Sequence, residues 1–288
     1  MTIASLGRAR RSRAGDRRRD ALFTIAAGVL ALIVVAAASA AVVPFAGDPD
    51  AIVSPRLSPP SAQWPLGTDA LGRSMLARVL EGAGTTLLLS IIAVAATAVL
   101  GTLLGMAAGY GGGWLREAVM RLGDILYSFP SIVLAVLVAA VVGPGQTAAI
   151  SGIVLITVPL MTRMITAAAT SVAERDFVTT AKISGVPTPV ILARHILSNI
   201  GGTIAVQGTY ALSVGILVEG GMSFLGYGVQ PPQSSLGSLI QQGGVYMVHA
   251  PWLLFTPAAV LVSAILSINL IGDTLRDRLE PRETRSLG

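Results

Sequence analysis

Few side chains in this sequence suit covalent or metal chemistry, and their spacing argues against both. There is no cysteine, which removes disulfides, thiol nucleophiles and cysteine-ligated metals. His195 and His249 are too few and too far apart for a usual metal site. Lys182 is the sole lysine. It follows Thr180-Ala181 and precedes Ile183, so no lysine stands where a phosphate-binding G-x-x-x-x-G-K-[ST] loop needs one. Ser223 follows Gly221-Met222, but Leu225 replaces the second glycine of a G-x-S-x-G elbow. Two features remain. Glu219 is the lone acid in a long apolar run, and Phe177–Asn199 is a polar segment set between apolar ones. Neither suggests catalysis. The first suits a passage or a packed interior, the second a docking surface.

The elements that must hold them are membrane helices. The chain has 288 residues, 53% hydrophobic and 12% charged, a balance of the membrane class. Six apolar segments reach spanning length: 21–43, 85–108, 125–142, 148–168, 204–222 and 253–272. Gly, Ala, Ser and Thr recur inside them and permit close packing in lipid. Ala38-Ser39-Ala40 resembles a cleavage site, but the apolar run before it is longer than that of a signal peptide. A retained anchor is expected. No alternation suits a barrel, and no internal repeat is evident.

Charge placement sets the orientation. Of twenty basic residues, seventeen fall on one side if the N-terminus is inside. Only Arg56, Arg73 and Arg78 fall outside, and 223–252 has no Lys or Arg. Both termini are therefore predicted to be cytoplasmic. The seven arginines before residue 20 read as an orientation signal beside a span rather than as a nucleic-acid patch. The expected organisation is a basic tail over 1–20, a first span over 21–43, an outer loop over 44–84, a helical core over 85–273 and a tail over 274–288. Within 44–84, residues 70–80 are predicted to form a short amphipathic surface helix. Trp64 and Trp252 are expected at the membrane interface. Asp124 and Asp273 are expected to pair with Arg121 or Arg276.

The polar segment, within a loop over 173–200, reads as a knuckle. Val178, Ala181 and Gly185 share a helix face that another helix or a protein groove can approach closely. Gly185 suits a left-handed helix end and Pro187 prevents continuation. Thr188 suits an N-cap with Pro189 at the first helical position. A second helix then runs through Asn199.

These residues resemble the EAA loop of type I importer permeases of the ATP-binding-cassette transporters. That pattern is an aromatic-Val-x-Ala-Ala run, a glycine four residues on, an isoleucine and a His-Ile-Leu-Pro-Asn ending. Here it stands as Phe177, Val178, Thr180, Ala181, Gly185, Ile191 and His195-Ile196-Leu197-Ser198-Asn199. Thr180 replaces an alanine and Ser198 a proline. From Trp64 to Arg282 the chain resembles the second permease of dipeptide and oligopeptide (peptide/nickel) importers. The resemblance rests on Leu66-Gly67-Thr68-Asp69, Leu71-Gly72-Arg73, Ala108-Gly109-Tyr110, Asp124 with Phe129-Pro130, Ser223-Phe224-Leu225-Gly226 and Val229-Gln230-Pro231-Pro232. Pro251-Trp252 and Asn269 to Asp277 complete it; Leu236 stands where the family often has tryptophan.

The resemblance implies an all-α permease with six transmembrane helices in a bacterial cytoplasmic membrane. Its implied partners are a homologous second permease, two ATPase domains (separate or fused), an extracytoplasmic peptide-binding protein and the lipid bilayer. No nucleic acid is implied. ATP and Mg would be bound by the ATPase partners, with no cofactor or metal on this chain. Phe177, Val178, Thr180, Ala181, Gly185, Ile191 and His195 would couple to the ATPases. Gln230, Pro231, Pro232 and Gln233 would face substrate or binding protein. Glu219 is left as either a passage residue or a packed, hydrogen-bonded one. A nickel importer is the alternative within the family. An ion-coupled secondary transporter would need more buried ionisable groups at the midplane.

Overall fold

The computed structural model describes residues 3–42 and 46–279. Among them the chain is helical, with only two isolated bridges, Ile52 to Arg73 and Thr68 to Ser74. Helix α1 is Ile3–Val42, α2 Met75–Gly111, α3 Gly113–Tyr127, α4 Ser131–Val142 and α5 Gln146–Ala173. Helix α6 is Asp176–Ile183 and α7 Thr188–Val190. A π turn, Ile191–Ile196, joins α7 to α8, Leu197–Phe224; α9 is Leu236–Val245 and α10 Trp252–Leu279.

The long helices run between two ends of a bundle. One end carries Gly111, Ala173, the knuckle and the last turns of α10, and is rich in arginine. The opposite end carries the loop before α2 and the segment between α8 and α10. Helix α1 continues from Ile3 through the basic residues into the first apolar segment. It also runs through Ala38-Ser39-Ala40 and packs along α2 and α10. At the arginine-rich end, Arg278 pairs with Asp20 at 3.4 Å and lies over the Phe23 ring.

The α2–α5 interface forms the centre of the bundle. Gly101, Gly105 and Gly109 stand one turn apart along α2. A Cβ on them would come within 2.6, 2.7 and 2.7 Å of Met161, Ile165 and Ala169 respectively. Such closeness needs glycine, and it places α5 against the α2 backbone. Below this seam lies a cluster containing Met161, Ile165, Ala169, Val178, Ile191 and Ile196.

Two expected elements differ. The helix predicted over 70–80 is not separate, because Ser74 caps the helix that begins at Met75 and runs on as α2. At 37 residues α2 is about 55 Å long, more than the roughly 30 Å of a hydrocarbon core. The third span, predicted over 125–142, is broken. Helices α3 and α4 meet at a 92° bend, where Pro130 offers no N–H and restricts Phe129. Helix α4 alone, 12 residues or about 18 Å, is too short to cross. Among the described residues, five helices are long and apolar enough to span, or six if the bent pair counts as one.

Candidate functional site

The knuckle is built from α6, a tight turn, α7 and the π turn. Helix α6 closes in a Schellman arrangement. Val186 N–H donates to the Ala181 carbonyl at 3.1 Å and Gly185 N–H to the Lys182 carbonyl at 3.1 Å. Gly185 sits at φ +76°, where a Cβ would be strained although nothing lies within 4 Å of it. Pro187 precedes the second helix, with Thr188 its first residue and Pro189 its second. Thr188, the predicted cap, is therefore one position past the cap itself, which is Pro187.

The face shared by Val178 and Ala181 points inward, so it is the chain's own helices that approach it. Val178 is fully buried and Ala181 nearly so; both pack with Ile191 and Ile196 under the ends of α2 and α5. The small residues let the knuckle approach its own bundle. The outward surface is the complement of that face. Ile183 is 84% exposed, and Phe177 and Val190 are also exposed. Thr180 is exposed, its hydroxyl donating back to the Asp176 carbonyl at 2.9 Å. His195, half-buried, has its ring 6.1 Å from that of Phe177, so the two limbs of the knuckle touch. Its carbonyl accepts from the Asn199 amide at 2.6 Å. Lys182 lies 4.5 Å over the Tyr110 ring, tying α6 to the last turn of α2.

The partner of Asp124 differs from the one predicted. Asp124 pairs with Arg163 of α5, whose guanidinium also lies over Tyr127, and this holds the α3–α4 elbow against α5. Arg121 pairs with Glu117 at 2.6 Å, one turn back. Asp273 accepts the Tyr210 hydroxyl at 2.7 Å, linking α10 to α8.

At the opposite end, Glu219 is fully buried. Its carboxylate accepts the Ser223 hydroxyl at 2.6 Å, and Ser223 Oγ in turn accepts Val229 N–H at 3.0 Å. Thr86 Oγ1, on α2, accepts Leu236 N–H at 3.1 Å. Ser235 caps α9 in a reciprocal box with Ser238. Glu219 thus sits inside a polar joint that holds the 223–238 segment to α2 and α8.

The segment carrying Gln230–Gln233 is only partly free. Gln230, Pro231, Pro232 and Gln233 are exposed, but Ser234 to Leu239 are buried. Gln233 accepts from the Gln146 amide at 2.5 Å, and Gln230 donates to the Gly226 and Gly228 carbonyls. Helix α9 lies in contact with Gly220 of α8, where a Cβ on Gly237 would come within 2.2 Å of the Gly220 carbonyl.

The loop before α2 is equally built. Asp69 accepts Leu71 N–H, Arg73 N–H and Arg73 Nε at 2.8, 2.9 and 2.7 Å. Thr68 Oγ1 donates to the Pro55 carbonyl and accepts Ser58 N–H. Gly72 has φ +84° and sits against the Ser54 carbonyl, so no other residue fits there. Arg78 is buried, with Asp69 and Asp50 at 3.5 and 3.6 Å. The Trp252 indole packs over Gly67 of this loop. The widely exposed tryptophan is Trp114, at the arginine-rich end.

Among the described residues no three His, Asp or Glu side chains gather as a metal site. The glycine seam was missed from sequence, although its spacing of four is visible; so was the S-x-x-S box at 235–238, which lacks the acid of the commoner cap.

Residues 101–285 match the family described as the binding-protein-dependent transport system inner membrane component. The chain is 35% identical over 229 residues to the dipeptide transport system permease protein DppC of Alkalihalophilus pseudofirmus, covering 80% of this chain and 75% of that one. It is 35% identical over 232 residues to the di/tripeptide transport system permease protein DppC of Pseudomonas aeruginosa, covering 78% and 77%. Against the glutathione transport system permease protein GsiD of Escherichia coli it is 35% identical over 266 residues, covering 92% and 88%. In fold it is similar to a chain of the MetNI methionine ABC transporter in an inward-facing conformation. That likeness has a TM-score of 0.58 and 20% identity, over 71% of this chain and 97% of that one.

Proposed function

Because this chain belongs to the family of binding-protein-dependent transport system inner membrane components, we propose that it forms half of the path by which an ATP-binding-cassette importer carries di- and oligopeptides across the cytoplasmic membrane. A homologous second permease supplies the other half, and an extracytoplasmic binding protein delivers the peptide. Two ATPase domains, separate or fused, bind ATP and Mg below, this chain having no ATP site of its own. The arginine-rich end is cytoplasmic, which puts the knuckle beside the ATPases and Gln230–Gln233 outside.

One observation carries this reading. The knuckle is anchored through buried Val178, Ala181, Ile191 and Ile196 while it offers bare Ile183 to the surroundings. Exposed Ile183, Phe177 and Val190 on an anchored knuckle at the arginine-rich end suit a groove on a partner. When ATP closes the ATPase pair, force on Ile183 reaches α5 and α8 through the buried anchor, and the bundle changes access. The peptide class follows from relatives whose names specify dipeptides, di/tripeptides and glutathione. An ion-coupled carrier is disfavoured because Glu219 is locked in a structural joint.

The test is uptake of labelled dipeptide, tetrapeptide and nickel in cells lacking the chain and then complemented with it. Ile183→Asp should abolish co-purification of the ATPase and peptide uptake alike. ATPase association that survives Ile183→Asp unchanged would remove the coupling assignment, and nickel uptake without peptide uptake would replace the substrate.

A further inference from the structure

At the α3–α4 elbow the bundle opens into a cavity of about 320 Å³. Tyr127, Phe129 and Ser131 of the elbow form one wall. Ile156, Thr157, Leu160 and Met161 of α5 and Gln207, Ala211 and Val214 of α8 form the rest. Not one of the lining residues is charged. Arg163 stands beside Tyr127 of the wall and is neutralised by Asp124.

Gln207 is the anomaly. It lies ten residues into α8, about 15 Å along the axis and hence near mid-membrane. Its side chain is half-buried, and among the described residues that side chain makes no hydrogen bond. An amide facing lipid unpaired costs several kcal/mol. On the facing helix, Pro159 cannot donate to the Leu155 carbonyl. A polar amide at this depth is tolerable where it meets water or a polar ligand.

We infer that this cavity is the solute-contacting wall that the chain contributes to the passage, with Gln207 hydrogen-bonding the backbone amides of a passing peptide. This deepens the importer reading and rests on it. An amide both donates and accepts, matching the N–H and C=O that every peptide repeats. Aromatic and aliphatic walls accept varied side chains by contact alone. The absence of a fixed charge means acidic and basic peptides are not sorted here, so any preference for side-chain charge must be set before this point.

Two measurements on the whole importer test it. The natural chain has no cysteine, so Gln207→Cys gives a single thiol. It should react with a charged, membrane-impermeant thiol reagent during ATP turnover, and trialanine should slow that reaction several-fold. Leu217→Cys, an outward position on the same helix, should show no protection. Second, Gln207→Glu should raise the uptake of Ala-Lys-Ala relative to Ala-Glu-Ala by about fivefold, whereas Gln207→Leu should reduce both equally. A thiol at 207 that stays silent from both sides, or reacts without protection in a complex that imports trialanine, overturns the proposal. So does an unchanged Lys-to-Glu uptake ratio in Gln207→Glu. Failure of the unsubstituted importer to take up trialanine is a separate result and refutes the peptide reading instead.

Discussion

Ser223 donates its hydroxyl to Glu219 across one turn of α8, at 2.6 Å, inside a joint closed to solvent. A carboxylate so placed acts as an acceptor. Glu219→Gln preserves an acceptor of nearly the same shape, so uptake should stay within about twofold of the natural chain. Glu219→Leu strands the Ser223 hydroxyl and should lower the stability of the complex by about 1–3 kcal/mol. Thermal unfolding and peptide uptake of both variants decide it; loss of uptake in Glu219→Gln with unaltered stability would restore a passage role.

Gly237 and Gly244 provide a matched pair on or beside α9. A Cβ on Gly237 would strike the Gly220 backbone, while one on Gly244 meets nothing within 4 Å. Gly237→Ala should force α9 off α8 at a cost of about 1–3 kcal/mol, and limited proteolysis should then cut within 223–252. Gly244→Ala should behave like the natural chain. Equal protease resistance in both variants would contradict the close contact.

Gly185→Ala should loosen the knuckle by about 1–2 kcal/mol, because its φ is left-handed and no clash adds to the strain. Gly185→Asn should cost less. Gly185→Arg adds bulk at the exposed tip and should uncouple transport while insertion persists. Hydrogen exchange over 176–190, together with ATPase co-purification, should rank Gly, Asn, Ala and Arg in that order. An unperturbed Gly185→Ala would show that the turn is not held in this conformation.

Topology is open to a direct chemical test. Gln233 is exposed, whereas neighbouring Ser234 is buried, so the informative outer thiol is Gln233→Cys. In intact cells it should react with an impermeant reagent, and Ser5→Cys should react only after lysis. Labelling of Ser5→Cys without lysis would invert the assigned sides.

How far the sequence could be read depended on which force decided each element. The Schellman turn at Gly185 was legible because it is local: a glycine and a following proline suffice. Apolar length found the long helices, but it ran across Phe129-Pro130 as though they belonged to one span. Backbone chemistry overrides hydropathy there, and the signal was present in Pro130. Apolar length alone started the second span at 85 and left 70–80 as a separate surface helix; packing against Asp50 and Asp69 lets Arg78 lie buried at the head of a continuous α2. The inward turn of Val178 and Ala181 was not recoverable from spacing. A small-residue face states that something comes close, and only the fold says whether it is a partner or the chain's own bundle.

The seam of Gly101, Gly105 and Gly109 also limits how the molecule can move. Met161, Ile165 and Ala169 mesh into it like teeth on a rack. A slip of one residue would drive a side chain into backbone, so α2 and α5 have no freedom to slide or roll on each other. The cluster holding the knuckle begins at the same Met161 and Ile165. Knuckle, α2 and α5 therefore form a single stiff plate. Displacement entering at Ile183 is delivered without backlash along the length of that plate, and the compliance needed for a change of access has to reside at its margins, where the α3–α4 bend offers a ready-made hinge.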